Sequence, residues 1–304
     1  MTLITSPHNS GLKELRKLRR RRERDRSGLF LAEGEDLIAA AIAAGRPAAR
    51  GYRVAGTAIG GAGFDDVDPS VLESVSTLGS GTRAIGVYEQ RFTQPAGPLC
   101  VYLHGVADPG NVGAVLRSAL AFGAACVALG PGCADPHSPK AVRASMGAIF
   151  AVSLARVSDV GELPGERVAL VAGAGEPIWR VGESIAGGVP HARASVRPVQ
   201  SEYIHRDSGQ SKPGESKLGE SKLGESEPGE SEPGQSEGDA TTQGEPRAVT
   251  LLVGAEREGL PDELLAACER VVHIPIASES LNAAMAATVA LYEMTRPSTR
   301  VPAS

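Results

Sequence analysis

The stretch LCVYLHGVADPGNVGAVLRSALAFG, residues 99–123, restricts the possible folds more than any other part of this 304-residue chain. Leu99 to Leu103 is a short apolar run of β-type residues, which predicts a buried strand. A turn follows at residues 108–111, where proline presets φ, glycine supplies φ > 0 and asparagine is suited to cap a helix. From Val112 to Phe122 the pattern is helical and contains one cation, Arg117. A strand, a tight turn and a helix place polar groups at the carboxyl end of a sheet, where open α/β proteins bind ligands.

Strand and helix patterns continue to alternate through residues 97–304. The predicted strands are 125–129, 168–172, 249–254 and 271–276, and the predicted helices are 140–150, 261–269 and 280–295. This alternation is typical of a mostly parallel sheet with helices on both faces, so the predicted fold class is α/β. The last helix is small or apolar almost all round, and we therefore expect it to be covered on nearly every side.

A segment of very different composition interrupts this domain at residues 187–246. Residues 209–238 are six copies of a five-residue unit of the type GESxP or GESxL, with no apolar face. Such a segment cannot bury enough apolar surface to offset its loss of conformational entropy, so we predict a disordered insert between two strands. Loop closure entropy grows slowly with length, which lets the surrounding domain tolerate the insert.

Residues 1–93 form a second predicted domain, ahead of a Pro/Gly linker at 94–98. Its segment 13–26 carries nine bases and three acids. Ser6 to Arg24 begins with turn and cap residues, at 6–7 and 9–11, and is then predicted to form one long basic helix with a thin apolar stripe. Charge runs are usually solvated faces, but lysine and arginine also bind RNA because they release counterions from phosphates. The candidate RNA-binding residues are Arg16, Lys17, Arg19 and Arg20 here, and Lys140 and Arg143 on one face of the 140–150 helix.

Composition narrows the remaining classes. The chain is 41% hydrophobic, has no apolar run of the ~18 residues that a membrane span needs, and shows no signal-peptide pattern. Its four cysteines are far apart, and no His/Cys cluster has metal-ligand spacing. These features predict a soluble cytoplasmic protein without a metal. The net charge of −5 is uneven, because residues 201–245 carry eleven acids against four bases and leave the rest slightly positive.

Three motifs in order give the chain a family resemblance. They are Asn111-x-Gly113-x-x-x-Arg117, then G-x-E-x-x-G-L at 254–260, and Ser280-Leu281-Asn282 after an Ile-Pro pair. Over residues 97–173 and 247–296 they resemble the SpoU/TrmH family. The resemblance implies a SPOUT-type, trefoil-knotted sheet, an obligate homodimer, and methyl transfer from S-adenosylmethionine to a ribose 2′-hydroxyl of structured RNA. Ribosomal RNA is the leading substrate and transfer RNA the second. Residues 1–93 resemble, more loosely, a ribosomal-protein-like substrate-binding module of such enzymes.

The resemblance also assigns roles to residues. Arg117 is expected to hold the phosphate beside the target ribose and to stabilise the developing alkoxide, since a guanidinium with a pKa above about 12 is a poor general base. The residues expected to orient Arg117, the ribose and the cofactor are Asn111, Glu256, Ser280 and Asn282. The cofactor is expected at backbone groups around Gly254, Ile274 and Leu281. Considered alone, Asn111 is more often a helix cap, and Glu256 is as often a solvated turn acid.

The sequence leaves two alternatives to an active methyltransferase. The loop at 276–279 is shorter than is usual in the family, which fits a catalytically inactive RNA-binding protein of the same fold. A dinucleotide oxidoreductase is disfavoured, because no G-x-G-x-x-G follows the first strand of either half.

Overall fold

Two β-sheets organise the protein. The computed structural model describes residues 3–60, 63–77, 81–181 and 248–296. The predicted disordered insert at 187–246 lies outside these residues. Across the described ranges, no helix is long and apolar enough to cross a membrane.

The first sheet is small, has four strands and lies between residues 29 and 89. The elements in chain order are α1 (Ser10–Leu18), α2 (Arg21–Ser27), β1 (Leu29–Glu33), α3 (Glu35–Ala43), β2 (Arg50–Val54), β3 (Phe64–Val67), α4 (Pro69–Val75) and β4 (Ala84–Glu89). The strand order is β1-β4-β2-β3, with β4 antiparallel to both neighbours and β2 parallel to β3. Sequence patterns do not predict β3, whose middle residues are two aspartates.

The basic segment forms two helices, so the prediction of a single helix is wrong. Helix α1 ends at Leu18 and α2 begins at Arg21, with extended backbone at Arg20 between them. The apolar stripe of Leu12, Leu15 and Leu18 is buried in the core of the small sheet. Helix α1 is therefore amphipathic and docked, because the three leucines that looked too few to bury are enough to hold it.

The second sheet has seven strands. Its elements are β5 (Leu99–Leu103), α5 (Pro109–Ala121), β6 (Cys126–Leu129), α6 (Pro139–Ala144), α7 (Ala148–Ala151), β7 (Ser153–Arg156), β8 (Glu166–Leu170), β9 (Glu176–Pro177), β10 (Val249–Val253), α8 (Asp262–Ala266), β11 (Arg270–His273) and α9 (Ala283–Thr295). The strand order is β7-β6-β5-β10-β8-β11-β9, and all of these neighbours are parallel. The predicted α/β class with a mostly parallel sheet is confirmed.

Apolar layers cover both faces of this sheet. Strands β5, β6 and β10 are buried along their whole length, as expected for central parallel strands. Successive residues face opposite layers: Leu251 packs in the layer that contains α5 and α9, and Leu252 packs in the other. All strands are parallel, so their carboxyl ends lie at one common edge.

The helix predicted at 140–150 is interrupted. It ends at Ala144, and α7 begins only at Ala148 after positive φ angles at Met146 (48°) and Gly147 (90°). A Cβ on Gly147 would lie 2.4 Å from the Cβ of Ala40 in α3. The break between α6 and α7 therefore lies where α7 packs closely on α3, which is a tertiary contact.

Gly113 of the first motif has a packing role. A Cβ at this position would lie 2.3 Å from the carbonyl oxygen of Ala141 and 2.7 Å from the Cβ of Ala144. Helices α5 and α6 pack closely at this point, and any larger residue would force them apart. The glycine thereby fixes α6, which carries Lys140 and Arg143, against the helix that carries Asn111 and Arg117.

Candidate active site

The loops that follow β10 and β11 enclose a cavity of about 240 Å³ at the carboxyl edge of the seven-stranded sheet. All three residues predicted to hold the cofactor line it, namely Gly254, Ile274 and Leu281. Glu256 and Ser280 line it as well. Two segments that are 20 residues apart in sequence thus form one site because their strands lie on either side of β8.

The 254–260 loop folds back on itself next to this cavity. The Gly259 N–H donates to the Ala255 carbonyl at 2.9 Å, and Gly259 has a φ of 67°. A Cβ on Gly254 would lie 2.2 Å from the Gly259 carbonyl carbon, so only glycine fits there. The glycines of the second motif therefore bring loop backbone to the cavity wall.

A chain of hydrogen bonds joins three predicted site residues. The side-chain amide of Asn111 donates to Glu256 Oε1, and Asn282 Nδ2 donates to Asn111 Oδ1 at 3.0 Å. Asn111 thus bridges the second and third motifs from the first turn of α5. These residues are separated by 145 and 171 positions in the chain, and the fold brings their side chains together.

The two asparagines lie at the starts of two helices, where Asn282 is itself the cap of α9 and Asp108 is the cap of α5. Asn282 Oδ1 accepts the N–H groups of Ala284 and Met285, so α9 begins three residues later than predicted. Asn111 is not a cap. Asp108 caps α5 by accepting from Gly110 N at 2.6 Å and Asn111 N at 3.1 Å, with Pro109 at the first helical position. The Asn111 side chain is therefore available for Glu256 and Asn282.

Arg117 stands apart from this cluster. It lies on α5 nearly two turns after Asn111 and is exposed. Within the described part of the chain, its guanidinium makes no hydrogen bond or ion pair, and it does not line the cavity. The structure therefore brings together four of the five predicted catalytic residues at this cavity, namely Asn111, Glu256, Ser280 and Asn282. The fifth, Arg117, lies elsewhere on α5.

Three of the candidate RNA-binding cations on and just after α1 have hydrogen-bond partners within the protein. Arg16 donates to the Pro7 carbonyl at 2.8 Å, and Arg19 donates to the carbonyls of Val75 and Ser76 at 2.5 and 2.7 Å. Lys17 pairs with Glu14 at 2.7 Å, an exposed pair of little energetic weight. Arg16 and Arg19 therefore also hold α1 to neighbouring segments.

The two cations of α6 have partners as well. Lys140 Nζ lies 2.6 Å from Asp108 Oδ2, and this hydrogen bond holds the pKa of Asp108 below its usual value. Arg143 donates to Thr77 Oγ1 at 3.4 Å, which connects α6 to the N-terminal region. Arg20 is exposed at the break between α1 and α2.

A buried polar cluster was missed by the sequence analysis. Arg24 is 3% exposed and donates to Asp135 Oδ2 through Nε at 2.9 Å and Nη2 at 2.6 Å. His137 is 2% exposed beside them, its Nδ1 has no hydrogen-bond partner, and its ring packs on Phe30 and Phe92. Burial lowers the pKa of His137 to about 4, although Asp135 opposes this shift. The Arg24–Asp135 pair fastens α2 to the loop after β6.

The described ranges contain no group of three His, Cys, Asp or Glu side chains that could hold a metal ion. The four cysteines are free thiols.

Comparison with protein families gives two matches. The SpoU rRNA Methylase family matches residues 98–169 and 230–292. The MRM3-like substrate binding domain matches residues 9–56. The first match contains β5, α5, the 254–260 loop and the start of α9, and the second contains both basic helices.

Individual relatives agree with these matches. The chain is 30% identical over 191 residues to a 23S rRNA (uridine(2479)-2'-O)-methyltransferase from Streptomyces viridochromogenes, an alignment covering 62% of this chain and 49% of that protein. The chain thus spans about half the length of the first relatives it matches.

Solved structures share the fold. An AdoMet-bound rRNA methyltransferase from Sinorhizobium meliloti superposes with a TM-score of 0.67 at 24% identity, over 96% of this chain and 97% of that one. The SpoU methyltransferase AviRb from Streptomyces viridochromogenes, in complex with the cofactor AdoMet, gives 0.66 at 21% identity, over 95% and 97%. These likenesses confirm the predicted SPOUT-type fold class. The chain therefore contains a SpoU rRNA methylase family domain, preceded by an MRM3-like substrate-binding domain.

Proposed function

We propose that this protein transfers a methyl group from S-adenosylmethionine to a ribose 2′-hydroxyl of structured RNA, with ribosomal RNA as the substrate class. The observation that carries the proposal is the hydrogen-bonded Asn111, Glu256 and Asn282 cluster beside a cavity lined by the predicted cofactor residues. The 2′-O-methyltransferase activity of the relative from Streptomyces viridochromogenes supports the same reaction.

The cavity suits S-adenosylmethionine. Its wall is mostly apolar, with Leu170, Val253 and Ile274, which fits an adenine ring, and it is completed by backbone of the 254–260 loop. The side chains of Glu256, Arg257 and Glu258 also line it, so two carboxylates and one guanidinium leave a net negative charge, which complements a positive sulfonium. When bound, S-adenosylmethionine supplies an already activated methyl group.

The protein's own residues then have two tasks. Asn111 and Asn282 are held by each other and by Glu256, so they present a fixed edge of amide groups to a ribose at the cavity mouth. Ser280, exposed at the cavity, adds a hydroxyl on the same side. Arg117 grips the phosphate next to the target ribose and stabilises the negative charge that develops on its oxygen.

A homodimer brings Arg117 to such a site. Helix α9 leaves Met285, Val289 and Tyr292 exposed at 62, 37 and 52%, four and three residues apart on one face. Ser118, next to Arg117, bonds Thr288 on this helix at 2.6 Å between hydroxyl oxygens. A second copy docked on the stripe would cover the apolar face and place its own cluster near Arg117. We propose as well that each chain contains the trefoil knot that the family resemblance implies.

The dimer has a direct test. Met285→Asp and Tyr292→Asp should each halve the mass measured by light scattering after gel filtration, because a charge in an apolar interface is costly. Ile42→Asp is the matched control, since Ile42 is 61% exposed on α3, away from the stripe. Unchanged masses in all three variants would exclude this face as the interface.

The short 276–279 loop does not fill the cavity. Ile276 is part of its wall, and about 240 Å³ stays open beside it. The feature that suggested an inactive RNA-binding protein therefore leaves room for a cofactor, and no other observation favours that alternative. We place the reaction in the cytoplasm, on RNA held by the basic helices α1 and α2.

Labelled methyl transfer tests the proposed reaction. S-adenosylmethionine with a labelled methyl group is incubated with total RNA that lacks endogenous modification, and the RNA is separated by species and digested to nucleosides. We expect label in one 2′-O-methyl nucleoside of ribosomal RNA. Cofactor binding without label in any RNA, or label on a base, would contradict the proposal.

A further inference from the structure

A second cavity lies at the same edge of the seven-stranded sheet, outside the site described above. It has a volume of about 310 Å³ and opens where β6 and β7 end, with Leu129, Pro131 and Cys133 in its wall. Two exposed arginines line it, Arg21 from α2 and Arg156 from the end of β7. None of these residues belongs to the motifs or to the candidate RNA-binding set.

The charge in this cavity is positive. Asp135 also lines it, but Arg24 already satisfies that carboxylate through two hydrogen bonds to Oδ2. Arg21 lies 3.6 Å from Asp25 in an exposed pair of little energetic weight, which a phosphate can replace. The Arg156 guanidinium carbon lies over the Phe92 ring, 4.5 Å from its centroid, and this cation–π contact restrains the side chain. The positive charge of Arg156 also lowers the pKa of the buried His137 nearby.

The two walls come from the two matched domains. Arg21 lies within the MRM3-like substrate-binding match, and Arg156 lies within the SpoU methylase match. The Arg24–Asp135 ion pair, at 2.6 Å and almost completely buried, fixes these walls to each other. A ligand in the cavity therefore contacts both domains at once.

The position relative to the first cavity indicates the ligand. The first cavity lies at β10, β8 and β11, and the second at β6 and β7, so two to five strand spacings, roughly 10–24 Å, separate them. At about 3.4 Å for each stacked nucleotide, roughly three to seven nucleotides cover this distance.

We propose that this cavity binds the RNA a few nucleotides from the methylated ribose, with Arg156 and Arg21 donating to a phosphodiester of that segment. The inference rests on the proposed RNA methylation and adds a substrate subsite to it. Arg156 is the main donor, because its guanidinium is already restrained and loses little freedom on binding.

Two thiols allow a test by protection from alkylation. Cys133 lines the cavity and Cys268 does not, yet they are alike: each is half-buried, burial raises the pKa of each, and each Sγ donates to a backbone carbonyl at 3.1 Å. The full chain is treated with iodoacetamide, with and without unmodified ribosomal RNA, and each cysteine is followed by peptide mass spectrometry. We expect RNA to slow alkylation of Cys133 at least fivefold and to change that of Cys268 less than twofold.

Variants and a small anion sharpen the result. Arg156→Ala should abolish the protection, and Arg83→Ala, which removes an exposed arginine paired with Glu35, should preserve it. Protection that persists in Arg156→Ala, or equal rates with and without RNA, would overturn the inference. Inorganic phosphate replaces RNA in a second arm; protection by phosphate but not by RNA would mean a small-anion site and would also overturn it.

Binding and turnover give an independent measurement. Arg156→Ala should reduce the slope of log affinity against log salt by about 0.7, the value for one single-stranded phosphate contact. It should raise the KM for RNA about tenfold with little change in kcat, because the contact is distant from the reacting atoms. An unchanged slope and KM would contradict the subsite. Alkylation is measured without cofactor, so a wild-type protein that binds RNA here but transfers no methyl group would refute only the proposed reaction.

Discussion

Two clusters of polar side chains in this protein differ chiefly in burial. Arg24, Asp135 and His137 are at most 7% exposed, whereas Glu256 and Asn282 are exposed and Asn111 is half-buried. Both clusters join segments that are more than a hundred residues apart in sequence. Long-range hydrogen bonds between side chains therefore occur both in the interior and at the surface of this protein.

Burial determines what each cluster does. In the buried cluster the polar groups bind one another and exclude water, so losing one partner leaves a charge without solvent. In the exposed cluster, water replaces a lost partner at little cost, but a ligand meets the same groups in a fixed arrangement. We therefore expect changes in the buried cluster to affect folding and changes in the exposed cluster to affect catalysis.

The largest effect on stability is expected at Arg24. Arg24→Met leaves the Asp135 carboxylate buried and unpaired, which should lower the free energy of unfolding by about 3–5 kcal/mol. Urea denaturation measures it. The double variant Arg24→Met with Asp135→Leu should recover part of the loss, since no charge is then buried, although the backbone groups of Leu18, Arg19 and His137 lose their partners. Arg26→Ala is the control, because Arg26 forms only an exposed pair with Glu23 and should change stability by less than about 0.5 kcal/mol.

The opposite result is expected at Arg117. Arg117→Ala should reduce kcat for methyl transfer by about 10²–10³-fold, because it removes a charge that stabilises the transition state. The free energy of unfolding should change by less than about 0.5 kcal/mol, since the side chain is exposed. Arg117→Lys should restore only part of the rate, because lysine cannot bind a phosphate in bidentate fashion. Undiminished turnover in Arg117→Ala would remove this residue from the mechanism.

The residues of the exposed cluster could be predicted from sequence, because each lies in a short motif that can be recognised without knowing its distant partners. Strand β5 is an uninterrupted apolar run with the predicted limits 99–103, and the three motifs name Asn111, Glu256 and Asn282. Motifs of this kind record which residues must meet at a site even when they are far apart. Two helix starts were predicted wrongly: Asp108, immediately before a proline, caps α5 in place of Asn111, and α9 begins at Ala283 with Asn282 as its cap.

The buried cluster could not be predicted, because its signal is not local. Arg24 is one of nine basic residues in segment 13–26. Nothing in that segment distinguishes Arg24 as the residue that pairs with Asp135, 111 positions away. The break between α6 and α7 has a similar origin, since it depends on the approach of Ala40 to Gly147. Periodicity reports which face of an element is buried, but not which distant element covers it.

A pH titration of stability separates the clusters further. His137 is neutral in the folded protein with a pKa of about 4, whereas an unfolded chain takes up this proton below about 6.5. Its contribution to stability is therefore complete above pH 6.5 and is lost as the pH falls towards 4, by about 1 kcal/mol for each pH unit. His137→Phe, whose ring suits the neighbouring Phe30 and Phe92, should flatten that part of the curve. An equal slope in this variant would assign the loss to other groups.

Asn282 gives the finest separation between stability and activity, because it both caps α9 and donates to Asn111. Asn282→Ala removes both functions and should cost about 1 kcal/mol of folding stability together with most of the transfer activity. Asn282→Asp keeps a cap of similar strength, so the free energy of unfolding should stay within a few tenths of a kcal/mol of the wild type. It loses the amide donor and adds a carboxylate near Glu256, so kcat should still fall at least tenfold. Urea denaturation and labelled methyl transfer on the same two proteins measure this. If Asn282→Asp retained full activity, the hydrogen bond to Asn111 would serve only to hold the helix, and the division between a stabilising cluster and a catalytic one would fail at this residue.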